Sequence, residues 1–109
     1  GGDINVDKIN IKEETGNLTI SVDSPSTISE ILANKVARLT IKTSVMNGDT
    51  QANIKTLKIG RDIEYLEIID YIYTGKILET ICFEGSEQEW NLVNKTIPAG
   101  ITVLFNQPM

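Results

Sequence analysis

Residue types that commonly perform chemistry are scarce in this chain. Its 109 residues include no histidine and one cysteine, Cys82. Without histidine there is no Ser–His or Cys–His nucleophile pair and no histidine-ligated zinc site. A nucleophilic Cys82 would need activation by a lysine, an arginine or a helix N-terminus. The single cysteine also forms no internal disulfide, so cysteine usage does not indicate a compartment.

Paired carboxylates are the other pattern that catalysis would use, because general acid–base chemistry needs two such groups close together. The sequence has three such pairs: Glu13/Glu14, Asp62/Glu64 and Glu87/Glu89. All fall in expected turns or helix starts, where solvated acids are common. We therefore predict a non-enzymatic protein without catalytic, cofactor-binding or metal-binding residues.

The charge balance argues against two classes of partner. Lys and Arg number 10 and Asp and Glu number 15, which gives a net charge of −5. Such a chain does not attract phosphate backbones, so we expect no nucleic-acid binding. No apolar run approaches the roughly 18 residues of a membrane span, and no basic cluster suits an anionic membrane, so we expect no membrane insertion.

The composition favours strands. The chain contains 17 Ile, 6 Val and 11 Thr but 4 Ala, and β-branched side chains pack well in sheets. Short apolar-x-apolar segments recur, with first apolar positions at 18, 39, 57, 81 and 103. A spacing near 20 residues with one strand per unit is typical of a solenoid. The alternative is an antiparallel sandwich, although connections this long are not those of simple hairpins.

Local signals predict the remaining elements. Ser24-Pro25 and the spacing of apolar residues predict a short helix near 25–34. A capping box at Ser86 and Glu89 predicts a helix near 87–94. Residues 44–53 are predicted to form a loop, and 62–75 suit either a helix or a strand. Alternation over 4–11 predicts an N-terminal hairpin with 17–22 that covers one end of the solenoid.

The most specific stretch runs from Ile81 to Trp90 and is followed by Ile97-Pro98-Ala99-Gly100-Ile101-Thr102-Val103. Together these segments resemble the C-terminal repeat and cap region of BspA-type leucine-rich repeat surface proteins, in a degenerate form. The resemblance implies a secreted or cell-surface bacterial protein that recognises other proteins or extracellular matrix. Residues 1–109 are not expected to contain the leader peptide of such a protein.

The predicted fold class is therefore α+β and β-rich. We expect one domain over 1–109, a leucine-rich-repeat-like right-handed solenoid of about five mostly parallel strands with short helices. Residues 1–22 would form the hairpin cap, 23–85 the degenerate repeats and 86–109 the C-terminal cap. Trp90 is expected to pack in the core beside Phe83, with a ligand-stacking role as the alternative.

Apolar residues facing the core leave a polar, threonine-rich face on the other side of the strands. We predict that a partner binds this face, although threonine also occurs there for its strand propensity alone. The candidate partner-binding residues are Arg38, Thr40, Lys42, Thr56, Lys58, Thr80, Cys82, Thr102 and Leu104. Cys82 beside Leu104 on that face suggests that the C-terminal end of the sheet is covered, and we expect self-association there.

The sequence thus favours a protein-interaction or adhesion module that uses the polar sheet face, without a cofactor. Two alternatives remain open. In the first, the chain is a structural capping or assembly segment of a larger surface protein. In the second, it is a carbohydrate-binding module. The last would use the aromatic residues Trp90, Tyr65, Tyr71 and Tyr73.

Overall fold

The computed structural model describes residues 4–22, 26–43, 53–70 and 78–109. Within these ranges the chain forms nine strands and one short helix. The elements are β1 (Ile4–Ile11), β2 (Thr15–Val22), β3 (Ser26–Ala33), β4 (Val36–Thr43), β5 (Asn53–Ile59), β6 (Tyr65–Asp70), β7 (Leu78–Phe83), α1 (Glu87–Leu92), β8 (Asn94–Thr96) and β9 (Thr102–Leu104).

Successive strands alternate between two parallel sheets. Sheet A has the order β1-β3-β5-β7-β9, and sheet B has the order β2-β4-β6-β8. Every pair of neighbouring strands is parallel, so the described chain winds as a β-solenoid with one strand of each turn in each sheet. The predicted β-rich parallel solenoid is confirmed. The predicted five strands with one strand per unit are wrong, because each turn contributes two.

The core lies between the sheets and is built from a recurring set of three apolar residues. A residue at the start of each strand segment is followed by others three and five positions later. On β4 these are Val36, Leu39 and Ile41, which are at most 1% exposed. On β5 the residues with the same spacing are Ile54, Leu57 and Ile59, and all three are fully buried. Burying each such side chain contributes about 1.5–3 kcal/mol, so this repeated set is the main stabilising element.

The expected alignment of strands is correct within each sheet and wrong between them. Leu18 pairs with Leu39 in sheet B, and Leu57 pairs with Ile81 in sheet A, as predicted. Leu39 does not continue to Leu57, because its next partner is Leu66 on β6. The same apolar spacing occurs in both sheets, so the pattern alone does not distinguish them.

The structure bears on three further expectations, and a fourth lies almost entirely outside the described residues. Residues 26–33 form β3 and not a helix, because Ile31 and Ala33 alternate into the core. The N-terminal hairpin is wrong, since β1 pairs in parallel with β3 and lies in a different sheet from β2. Within the ambiguous 62–75, residues 65–70 are strand β6. The loop predicted at 44–53 lies outside the described residues except for Asn53, which begins β5.

Tight turns connect sheet A to sheet B at one corner, and hydrogen bonds continue through them. The Gly60 N–H donates to the Ala33 carbonyl (3.3 Å), and the Glu64 N–H donates to the Ala37 carbonyl (2.7 Å). A Cβ atom on Gly60 would lie 1.9 Å from the backbone oxygen of Asn34. Only glycine therefore allows these two turns to stack so closely.

Helix α1 forms as predicted and closes the C-terminal part of the core. Ser86 Oγ accepts from the Glu89 N–H (3.1 Å), and the Glu89 carboxylate accepts from the Ser86 N–H (3.0 Å). Trp90 is 6% exposed, and its ring lies 5.3 Å from that of Phe83. The expected core position of Trp90 is confirmed. Across the described residues, no helix has the length and apolar character needed to cross a bilayer.

Candidate interaction face

The two-sheet architecture divides the predicted partner-binding residues between opposite sides of the solenoid. Arg38, Thr40 and Lys42 lie on β4 in sheet B. The other six lie on sheet A: Thr56, Lys58, Thr80, Cys82, Thr102 and Leu104. The structure therefore brings each group together separately and does not form one face from all nine.

The sheet A group forms two parallel rows, where a row is a set of register partners on successive strands. One row runs Lys8–Glu30–Thr56–Thr80–Thr102, and the next runs Asn10–Leu32–Lys58–Cys82–Leu104. Lys58 Nζ lies 3.3 Å from Glu30 Oε1, so its charge is already paired. This face thus offers threonine hydroxyls, the exposed Lys8 and Asn10 on β1 and the 42% exposed side chain of Leu104.

Cys82 is buried, although its register position lies on the outward side of sheet A, and the sequence alone did not determine its burial. It lies between Lys58 and Leu104 in its row, and 9% of its surface remains accessible. Self-association at the C-terminal end stays a prediction that now rests on Leu104 alone.

Tyr65 and Glu67 lie beside the sheet B group, as register partners of Arg38 and Thr40, and the sequence did not predict this. One row runs Asn17–Arg38–Tyr65–Asn94, and the next runs Thr19–Thr40–Glu67–Thr96. The guanidinium carbon of Arg38 lies 4.6 Å from the centroid of the Tyr65 ring. Arg38 is exposed and Tyr65 is half-buried, so this cation–π pair lies at the surface of the sheet.

The electrostatics of this face centre on Tyr65. Its partial burial, the charge of Glu67 and a hydrogen bond to Glu67 raise the pKa of the Tyr65 phenol above its usual value, against the opposing charge of Arg38. Glu67 therefore favours the protonated form of the phenol. We call Asn17, Arg38, Tyr65 and Asn94, together with Thr40 and Glu67, the Arg38–Tyr65 face.

The signal that would have found Tyr65 and Glu67 is the same apolar spacing that identified the other strands. Residues 63, 66 and 68 repeat the pattern at 54, 57 and 59 only nine positions later, and Ile63, Leu66 and Ile68 are all buried. This spacing places Tyr65 and Glu67 on the opposite, outward side of β6.

Among the described residues, two open clefts lie along the corner between the sheets. One, of about 310 Å³, is bordered by Glu14, Asp62 and Glu64 together with Lys35. The other, of about 410 Å³, lies between Arg61, Ile63, Glu89 and the 86% exposed Leu92. In the part of the chain that the structure describes, no group of three or more His, Cys, Asp or Glu is arranged to hold a metal ion.

The aromatic residues of the carbohydrate alternative are distributed differently from the expectation. Trp90 is a core residue, so it offers no open ring face for stacking. Tyr71 and Tyr73 lie outside the described residues, and among the described residues Tyr65 is the aromatic group on the sheet B surface.

Comparison with known proteins identifies no relative. A scan against protein-family models and searches of curated proteins and of solved structures each find no match to this chain.

Proposed function

We propose that this chain is a non-enzymatic protein-interaction or adhesion module that binds its partner through the Arg38–Tyr65 face. The observation that carries the proposal is the surface stack of Arg38 on Tyr65, at 4.6 Å. Arginine and tyrosine are among the residue types most enriched at binding hot spots. Register pairing holds both side chains on a rigid sheet, so a partner would meet them already in place.

Sheet B is favoured over sheet A because the cation of Arg38 is exposed and lies over an aromatic ring, and both residue types are enriched at binding hot spots. On sheet A, Lys58 is paired with Glu30 and Cys82 is buried. On sheet B, exposed asparagines lie at both ends of the row that contains Arg38 and Tyr65. Their amides add donors and acceptors on either side of the aromatic ring.

The proposed setting is a secreted or cell-surface bacterial protein, with another protein or extracellular matrix as the partner. It comes from the resemblance of 81–90 and 97–103 to the end of BspA-type leucine-rich repeat arrays. The support is local: Ser86 caps α1, and Trp90 packs against Phe83 beneath it. Two strands per turn depart from the single strand per unit expected of such repeats, so this family proposal rests on the C-terminal segment.

The proposed function is tested with purified extracellular-matrix proteins, namely a collagen, a laminin and a fibronectin, each immobilised and probed with the 109-residue chain. Arg38→Glu should weaken the strongest of these interactions about 30-fold, the loss typical of a hot spot. Lys58→Glu is the matched control, because it reverses one charge on sheet A and should leave that affinity within about threefold.

Equal binding by Arg38→Glu and the unmodified chain would overturn the proposal. So would the absence of binding to every protein of the panel, which would favour the assembly-segment alternative. That alternative draws on a specific observation: among the described residues, β1 and β2 each pair with a neighbouring strand on one side only.

A further inference from the structure

We infer that the outward side of sheet B binds an acidic, extended segment of its partner protein, with one carboxylate on the guanidinium of Arg38 and a second on the ammonium of Lys42. This partner chemistry rests on the proposed function, because it presupposes that the Arg38–Tyr65 face binds a protein. Arg38 and Lys42 both lie on the outward side of β4, since Leu39 and Ile41 of the same strand are buried between the sheets.

The outward side of sheet B carries a local excess of positive charge. Its charged residues in the described rows are Arg38 and Lys42 on β4 and Glu67 on β6, two cations and one anion. The other members of these rows are uncharged. An acidic segment therefore meets complementary charge on this face, although the chain as a whole has a net charge of −5.

The two cations of β4 are not neutralised by neighbouring carboxylates. Among the described residues, neither Arg38 nor Lys42 belongs to an ion pair, whereas Lys58 on sheet A does. Glu67, the carboxylate on the same face, is hydrogen-bonded to Tyr65. A carboxylate of a partner can therefore approach the guanidinium of Arg38 without displacing an internal ion pair of the described chain.

The ring of Tyr65 prepares Arg38 for this contact. The 4.6 Å contact restricts the arginine side chain, so less conformational freedom is lost when a carboxylate binds. A guanidinium is planar and donates two parallel N–H bonds to one carboxylate, a geometry that the ammonium of a lysine does not provide. Arg38 therefore determines the position of the partner segment, and Lys42 adds a second, less directional contact.

The separation of the two cations defines the spacing of the partner's carboxylates. A strand rises about 3.3 Å per residue, so positions 38 and 42 are about 13 Å apart along β4. An extended segment that runs along β4 presents two carboxylates at this distance when they are four residues apart. In a helix the same spacing in sequence separates them by only about 6 Å along the axis, which is too short to reach both cations.

A pair of synthetic peptides tests this partner chemistry. The probe is a seven-residue peptide of threonine and valine with glutamate at its second and sixth positions, because β-branched residues favour an extended chain. The matched control peptide has glutamine at both positions. In a titration followed by nitrogen-15 NMR at low salt, the glutamate peptide should shift the backbone amides of Arg38 and Lys42 in a saturable way. The glutamine peptide should not.

Variants of the chain locate the contact. Arg38→Gln should weaken binding of the glutamate peptide at least about tenfold, since a hydrogen-bonded charge pair is lost. Arg38→Lys should still weaken it about fivefold, because the charge remains but the paired N–H donors do not. Glu67→Gln should strengthen it about twofold, because a like charge beside the site is removed. Lys58→Gln is the matched control on sheet A and should leave the affinity within about twofold.

Equal shifts with both peptides, or none with either, would overturn the acidic partner. So would an affinity for the glutamate peptide that Arg38→Gln leaves unchanged or that Lys58→Gln abolishes. Unchanged binding by Arg38→Lys would overturn the two-bond contact. The two peptides are compared on the unmodified chain, so this comparison stands even if a variant does not fold.

Failure of the acidic partner and failure of the proposed function give different results. If a matrix protein binds in an Arg38-dependent way and the glutamate peptide does not bind, the proposed function stands and the acidic partner is overturned. If the glutamate peptide binds as expected and no matrix protein does, the partner chemistry stands and the proposed adhesion to matrix fails.

Discussion

Arg38 and Tyr65 are direct register partners on β4 and β6, and the guanidinium of Arg38 covers the Tyr65 ring at 4.6 Å. They are 27 positions apart in the sequence. Their contact therefore exists only because the chain completes one turn of the solenoid between them. The polar face of sheet B is in this sense a product of the winding and not of any local motif.

The ionisation of Tyr65 should report on this arrangement. Glu67→Gln should lower the pKa of the Tyr65 phenol, because the carboxylate's charge and hydrogen bond both favour the protonated form. Arg38→Met should raise that pKa, because a positive charge that stabilises the phenolate is lost while the ring stays covered. Ultraviolet titration in a Tyr71→Phe, Tyr73→Phe background measures both. Shifts in the opposite directions would show that Glu67 and Arg38 do not determine the environment of the ring.

The local features of the fold were predictable, whereas the division of the strands between two sheets was not. Ser86 and Glu89 form their capping box within three residues, so the sequence contains all the information needed for it. Leu39 has equally good apolar partners at Leu57 and Leu66, and only the winding of the whole chain selects Leu66. Arg38 was correctly predicted on a polar face, but its neighbour Tyr65 was missed because 62–75 suited helix and strand equally.

A strand at 26–33 and a helix at 26–33 predict different losses of stability for alanine substitutions at positions 31 and 32. Ile31→Ala should cost about 2–5 kcal/mol, because this fully buried side chain leaves a cavity between the sheets. Leu32→Ala should cost clearly less, because Leu32 faces outward on β3 and is half-exposed. Urea unfolding of the two variants measures the difference. Equal losses would instead indicate a helix, in which adjacent residues 31 and 32 share the apolar face.

The close stacking of corner turns should make Gly60 intolerant of any side chain. Gly60→Ala should destabilise the fold by about 1–3 kcal/mol or more, since its Cβ would meet the backbone oxygen of Asn34. Gly16→Ala is the matched control, because nothing lies within 4 Å of its Cβ position. It should be neutral or stabilising by up to about 1 kcal/mol, since alanine restricts the unfolded chain. Thermal unfolding that ranks the two variants in the reverse order would contradict the stacking of these turns.

Glu89 should make stability depend on pH at the acidic end. Its pKa is lowered chiefly by the hydrogen bond from the Ser86 backbone N–H and also by the nearby charge of Arg61, whose Nε lies 3.3 Å from Glu89 Oε2. A carboxyl with a lowered pKa in the folded state stabilises that state above its unfolded pKa of about 4.3, and this contribution is lost as the pH falls through the folded value.

Glu89→Gln retains an oxygen for the capping box but removes the charge, so it should lower the free energy of unfolding at neutral pH. The difference from the unmodified chain should shrink on acidification from about pH 4.3 downward. Glu87→Gln serves as the control, because it removes a charge from the same helical turn without the bond to Ser86. Denaturant unfolding across this range measures both variants. A difference for Glu89→Gln that stays constant with pH, or an equal effect of Glu87→Gln, would show that the Ser86 and Arg61 contacts do not stabilise the Glu89 carboxylate.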